Sequence, residues 1–133
     1  MKEKEQAEPL FTSRVRVRIY DVDATGTVFF TCHQHWFDGV AVVDFLKERD
    51  IDWMSIVVAG ISFNYKHPLF LDDLVDITID KVEMGNKSFK ITCTLYIHET
   101  GKVAAEGNAV YVYIDKNSRS AIPIPQEVRD KLS

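Results

Sequence analysis

His33-Gln34-His35-Trp36-Phe37-Asp38-Gly39-Val40-Ala41-Val42-Val43-Asp44-Phe45-Leu46-Lys47-Glu48 decides how the rest of the chain must be arranged. The run holds no proline and a single glycine, and its spacing predicts a helix over about 33 to 48. A helix on a protein surface confines its apolar residues to one stripe. Here Trp36, Phe37, Val40, Ala41, Val42, Val43, Phe45 and Leu46 cover most of the circumference, so this helix needs partners on most sides. The charged run Lys47-Glu48-Arg49-Asp50 marks its exit toward solvent.

The partners read as strands. Upstream, Val15, Val17 and Ile19 alternate with Arg14, Arg16 and Arg18, the period of two that gives a strand one buried and one wetted face. Downstream, Ile61, Phe63 and Tyr65 alternate with Ser62, Asn64 and Lys66 until His67-Pro68, where proline cannot donate to a ladder. Val75, Ile77 and Ile79 follow with the same period, as do Phe89, Ile91, Cys93, Leu95 and Ile97. Met84-Gly85-Asn86-Lys87 and Glu99-Thr100-Gly101-Lys102 are connections of hairpin length. A last strand is expected over about 102 to 115, where Ala104, Ala105, Gly107 and Ala109 would let something large lie close to the sheet. Pro123 and Pro125 precede a short helical turn ending the chain, 126 to 132.

This order of strand, buried helix and four further strands has no βαβ alternation and no repeat. It predicts an α+β domain, one long antiparallel sheet wrapped around one apolar helix. That domain is expected over residues 13 to 133, after a flexible arm of residues 1 to 12 with few apolar anchors. Alone it would leave a sheet edge uncovered, so sheets are expected to pair between subunits.

Composition removes several function classes. A chain of 133 residues buries a core without disulfides or metals. A net charge of −4 disfavours nucleic acid as a partner, since phosphate binding needs a broad basic surface. No segment approaches the roughly 20 apolar residues of a membrane span. The N-terminus carries charges of both signs and no apolar core of a signal peptide, which makes the cytoplasm the expected compartment. Cys32 and Cys93 have no paired spacing, in keeping with reduced thiols.

Chemistry concentrates in Tyr20-Asp21-Val22-Asp23-Ala24-Thr25-Gly26, which puts two acids and a glycine between a strand and the buried helix. An aspartate is ionised at neutral pH and can attack a carbonyl or take a proton from water. The first N–H groups of the following helix lack intrahelical partners and can stabilise an oxyanion. Spacing alone leaves this reading beside a plain one, in which both acids make turn and cap hydrogen bonds.

The stretch from Arg18 to Phe45 resembles the signature of the 4-hydroxybenzoyl-CoA thioesterase family of hot-dog proteins, matching at Asp21, Asp23, Ala24, Gly26, Val28, Phe29, Trp36 and Asp38. Ile61-Ser62-Phe63-Asn64-Tyr65-Lys66-His67-Pro68 and Asp72-Asp73-Leu74 are similar to that family's second strand and the start of its third. The resemblance implies a hot-dog fold, homodimers often paired into a homotetramer, and metal-free hydrolysis of acyl-CoA, with no cofactor beyond the CoA of the substrate. It makes Asp23 the catalytic carboxylate, as nucleophile or general base, and the backbone N–H of Phe30 with that of Thr31 the groups that polarise the carbonyl. Thr25 and Phe30 depart from the family's usual residues.

The remaining candidates are weaker. Cys32, His33 and His35 do not present ligands to one side of a helix, and no metal site is expected. No G-x-S-x-G elbow is present. Lys66, Lys87, Lys90, Lys116 and Arg119, near strand ends, are candidates for the CoA phosphates; Gly26, Trp36, Phe37, Trp53 and Phe63 are candidates for the acyl side. His67 and His98 read as structural. Two other classes remain: a hot-dog domain that binds an acyl ligand without catalysis, and a hydratase or dehydratase.

Overall fold

The computed structural model describes residues 8–133. Strand β1 (Phe11–Arg16) leads through a turn of 3-10 helix (Ile19–Asp21) to the central helix, and β2 (Ile56–Tyr65), β3 (Leu74–Met84), β4 (Ser88–Ile97) and β5 (Val103–Tyr113) follow. A C-terminal helix, Gln126–Leu132, closes the chain where the sequence placed it. The strands form one antiparallel sheet in the order β1-β3-β4-β5-β2. This is the hot-dog arrangement, with the central helix against the concave face.

Two sequence expectations change. Strand β1 begins at Phe11, inside the segment read as an arm, because Phe11 pairs with Ile79 and its ring meets Phe45 of the helix edge-on at 5.9 Å. The rest of that arm, residues 1–7, lies outside the described residues. Ile19, expected to point inward, is exposed, because the chain leaves the sheet after Arg16 and turns. The connection from β2 to β3, which the sequence left unassigned, is a crossover: β2 pairs with β5, so the sheet ends in β1 and β2 as its two edges.

The central helix runs without a break through Cys32–His35, Trp36–Val42 and Val43–Glu48, the middle segment wound as π-helix. Trp36, Phe37, Ala41, Val42, Phe45 and Leu46 are buried against the sheet. Val40 and Val43 are only half covered, so apolar character extends further around the helix than one protomer uses. The Tyr111 hydroxyl on β5 donates to Asp38 Oδ1 at 2.8 Å, tying the helix to the sheet inside the apolar layer.

At the β1 edge the alternation of arginines acquires a partner. Arg14 Nε donates to Asp76 Oδ1 at 2.7 Å, across the Arg14–Asp76 pair of the register, and His98 Nδ1 lies 2.7 Å from Asp76 Oδ2. Burial pushes the Asp76 carboxyl up, but the hydrogen bonds from Arg14 and His98 outweigh it and leave it below the ordinary 3.8. A depressed carboxyl contributes stability that is present above 3.8 and lost as pH falls through the folded value. Asp76→Asn is therefore expected to cost about 1–3 kcal/mol at neutral pH and to flatten the acid limb of stability against pH. Urea melts from pH 3 to 7 on both proteins check this; parallel curves refute it.

Candidate active site

The loop that carries Asp23 is a closed turn. An isolated bridge between Val22 and Val28 sets its base, the Asp23 N–H donates to Thr27 O at 2.9 Å, and the Gly26 N–H donates to Asp23 O at 3.0 Å. Gly26 sits at φ +85°, in the left-handed region, with nothing within 4 Å of where a Cβ would stand. Conformation, not crowding, requires glycine there.

Within that turn Asp23 is exposed and its two oxygens are not equivalent. Oδ1 accepts from the Thr25 N–H at 2.8 Å and the Thr25 hydroxyl at 2.5 Å, and the Thr27 hydroxyl lies 3.3 Å from both oxygens. Oδ2 takes the longer contact from the Thr27 hydroxyl, and the Thr27 backbone N–H also bonds this carboxylate. The Thr25 hydroxyl and N–H hold the carboxyl below the ordinary 3.8, so Asp23 is an anion at neutral pH. Thr25, a departure from the family pattern, thus supplies the two shortest hydrogen bonds of this carboxylate.

Asp21 has a different job. It is buried, its Oδ2 accepts from the Arg18 N–H at 2.8 Å, and its carbonyl accepts from the Phe29 N–H at 2.8 Å. These bonds fix the chain as it enters the helix. Cys32 Sγ lies 3.5 Å from the Asp21 carbonyl. Burial, then the Asp21 charge, push that thiol up, away from a reactive thiolate.

The helix start forms one wall of a cleft of about 340 Å³ lined by Thr27, Phe30, His33, Tyr65, Lys66 and His67, with Val28, Pro68 and Leu69. Thr27 joins this cleft to Asp23. The Cys32 N–H donates to Phe29 O at 2.9 Å, while the N–H groups of Phe30 and Thr31 donate to no described residue. The carbonyl of Phe30 accepts from the Tyr65 hydroxyl at 2.7 Å and faces His33 Nδ1 at 3.3 Å. Because a carbonyl only accepts, that contact assigns the proton to Nδ1. His33 is buried against Trp36 and Tyr65, and this burial lowers its pKa from 6.5, so the ring is neutral at pH 7.

The residues read from the sequence fall into two groups. Asp23 and Gly26 form the turn, and Phe30 and Lys66 line the cleft beside it, Lys66 also facing Glu106 at 3.8 Å; Thr31, next to Phe30 in the chain, lines a separate cavity with Gln34, His35, Asp38, Val58 and Ile61. Lys87, in the β3–β4 turn, Lys90, beside Glu83 at 3.9 Å, and Arg119 and Lys116, beside a second cavity with Met54, Val57 and Ile114, gather at the Ile56 end of β2. The cleft is at the Tyr65 end. Ten residues of strand put roughly 30 Å between the two ends, so one protomer does not assemble all these cations at Asp23.

Trp36 and Phe63 do not line the cleft: Trp36 is buried in the core, and Phe63 packs edge-on to Phe37 at 5.8 Å. Helix and strand periodicity show that a residue is turned inward but not whether it meets a neighbour or a hollow. His67, read as structural, does line the cleft. Tyr65 and His33 were missed as cleft residues; the signal available was a hydroxyl-bearing aromatic at a strand end and a histidine one residue into a helix. Among the described residues no three His, Cys, Asp or Glu side chains gather to hold a metal ion. No helix among them is long and apolar enough to cross a membrane.

A carboxylate turn at the mouth of a central helix, inside this sheet order, has clear relatives. The profile of the thioesterase-like superfamily matches residues 17–132. This chain belongs to that superfamily. The long-chain acyl-CoA thioesterase FadM of Escherichia coli is 27% identical over 134 residues, covering 90% of this chain and 95% of that protein. A 1,4-dihydroxy-2-naphthoyl-CoA hydrolase of Thermosynechococcus vestitus is 27% identical over 124 residues, covering 88% and 84%. In fold, the 1,4-dihydroxy-2-naphthoyl-CoA thioesterase of Synechocystis superposes with a TM-score of 0.83 at 17% identity, over 92% of this chain and 94% of that one. Membership thus stands at the level of the hot-dog thioesterase superfamily, and the narrower 4-hydroxybenzoyl-CoA resemblance of the sequence is met only to that level.

Proposed function

We propose that Asp23 is the carboxylate with which this thioester hydrolase cleaves acyl-CoA to free acid and CoA. The observation that carries this reading is an exposed, ionised carboxylate in the turn whose Thr27 lines the cleft, followed by a helix start where Phe30, which also lines that cleft, and its neighbour Thr31 have N–H groups without partners among the described residues. The charge of Asp23 is directed at an electrophilic carbon, and the Phe30 and Thr31 N–H groups suit the oxygen on which negative charge develops. Two routes fit. Either Oδ2 attacks the thioester carbonyl, giving a mixed anhydride that water opens at the Asp23 carboxyl carbon, or Asp23 takes a proton from water that attacks in its place. In both, the C–S bond breaks and CoA leaves as the thiolate. A single turnover in H₂¹⁸O distinguishes them, because only the anhydride route transfers an unlabelled carboxylate oxygen to the first product.

The relatives, one named for long-chain acyl-CoA and one for an aromatic acyl-CoA, support acyl-CoA as the substrate and bracket the choice of acyl group. A thiol-release screen over aliphatic and aromatic acyl-CoAs tests the reading. Saturable binding without release of thiol would favour a non-catalytic acyl-binding domain instead.

Strand β2 supports the expectation of a homodimer. It is an edge strand, and Val57 and Val58 on it are exposed. Antiparallel pairing of two β2 strands about a twofold axis extends the sheet and covers the β2 edge of each protomer. It also brings the Ile56 end of one protomer, with Lys116 and Arg119, toward the Tyr65 end of the other, where the cleft lies. The cations that a single protomer leaves about 30 Å away would then serve the partner's CoA phosphates. A tetramer would pair two such dimers. Val58→Lys is expected to yield monomers by light scattering and to raise KM for acyl-CoA at least about tenfold, the scale of losing interfacial charge contacts. A variant that stays dimeric with unchanged KM excludes this arrangement.

A further inference from the structure

Resting on the reading of Phe30 and Thr31 as oxyanion donors, we infer that the Tyr65 hydroxyl is a positioning residue for the reaction, acting through the peptide bond between Phe30 and Thr31. In a trans peptide the C=O and N–H of one unit point in opposite directions within one plane. A donor on the carbonyl therefore fixes where the N–H of the same unit points. The Tyr65 hydroxyl donates to Phe30 O at 2.7 Å, from the far end of β2 to the start of the central helix. His33 Nδ1 approaches the same oxygen at 3.3 Å, so both lone pairs of that carbonyl are engaged. The N–H of this unit belongs to Thr31 and has no partner among the described residues.

The adjacent peptide has the same form. Its carbonyl, Phe29 O, accepts from the Cys32 N–H at 2.9 Å, and its N–H, that of Phe30, is also without a described partner. Two consecutive peptides thus have the oxygen held and the hydrogen offered. A hydrogen bond accepted at C=O also polarises the amide and makes its N–H a better donor. The helix supplies one of these two holds from its own backbone; the other depends on a side chain from a different element. Tyr65 is itself held, its ring stacked on Phe63 at 6.3 Å and edge-on to His33 at 4.7 Å.

Tyr65→Phe removes one oxygen and keeps the ring packing. Since deleting a direct oxyanion donor costs about 10²–10³ in kcat, loosening one of two donors is expected to cost about tenfold in kcat with KM changed less than about twofold. The spectroscopic counterpart uses Asp23→Asn loaded with [1-¹³C]dodecanoyl-CoA, or carbonyl-labelled benzoyl-CoA where aromatic thioesters turn over faster. The thioester C=O stretch should shift to lower frequency on binding, and the added Tyr65→Phe change should reverse much of that shift. An unaltered kcat and an unaltered stretch in the Tyr65→Phe proteins overturn the positioning role while leaving Asp23 in place. Should Asp23→Asn still hydrolyse the thioester at the native rate, the underlying reading falls and this inference with it. A kcat loss accompanied by an equal loss of thermal stability and no spectral change assigns Tyr65 a structural role and also overturns the inference.

Discussion

Asp23→Asn is expected to lower kcat for acyl-CoA hydrolysis about 10³-fold, within the 10²–10⁴ range of a lost general base, with fold and assembly intact. Asparagine is isosteric with aspartate and keeps a carbonyl oxygen to accept from the Thr25 N–H and hydroxyl, so the turn has its main hydrogen bonds. It removes the negative charge, and with it both the nucleophile and the base. Because Asp23 is exposed and its side-chain hydrogen bonds stay within the turn, circular dichroism and thermal melting should match the parent. The depressed carboxyl adds a pH test: the acid limb of kcat/KM should lie below 3.8, since Asp23 stays ionised down to its folded value. Thiol release measured from pH 3 to 8 reads both effects. Unchanged turnover by Asp23→Asn removes this residue from the mechanism.

Gly107→Ala should destabilise the fold by about 1–3 kcal/mol, the cost of overpacking a tight contact. A Cβ at Gly107 would stand 2.6 Å from two ring carbons of Phe63 and 2.8 Å from a third, closer than real side chains approach. Gly107 and Phe63 are cross-strand partners on β5 and β2, so the backbones cannot separate without breaking the ladder. Nor is the ring free to swing, with Phe37 edge-on at 5.8 Å and Tyr65 stacked at 6.3 Å. Displacing Phe63 therefore pushes on Tyr65, whose hydroxyl holds the Phe30 carbonyl at the cleft. A lower kcat should accompany the lower midpoint of urea unfolding. Phe63→Leu, which shortens the side chain, should relieve part of the damage, giving a non-additive double-mutant cycle. Equal stability of Gly107→Ala and the parent would mean that the ring yields at no cost.

Much of this was legible because burial leaves a periodic trace. The all-round apolar character of the helix required a sheet to wrap it, and Ala104, Ala105, Gly107 and Ala109 announced a narrow strand; at Gly107 the Phe63 ring lies close to it. The turn at Asp23 was legible as a turn, since Gly26 adopts the left-handed conformation that glycine takes without strain. Alternation failed where the outer face was not wetted: Asp76 and Thr78, expected in solvent, are buried, Asp76 by its ties to Arg14 and His98 and Thr78 by its bond to Asp80.

For the site itself, the sequence by itself determined the chemistry on offer: an aspartate in a tight polar turn, followed at once by a helix whose first N–H groups have no internal partner. Those are local facts, set by residues within a few positions of one another. The tertiary structure showed which acid is buried and which exposed, though the bonds that hold them are short in sequence: Asp21 accepts from the Arg18 N–H, and Asp23 is held on one oxygen by Thr25. It alone brought Tyr65 across 35 positions to the Phe30 carbonyl and sent Lys87, Lys90 and Arg119 to the other end of β2. The physical reason is strand pairing: register fixes which distant residues share an end of the sheet, and no pattern within a single strand encodes its neighbour.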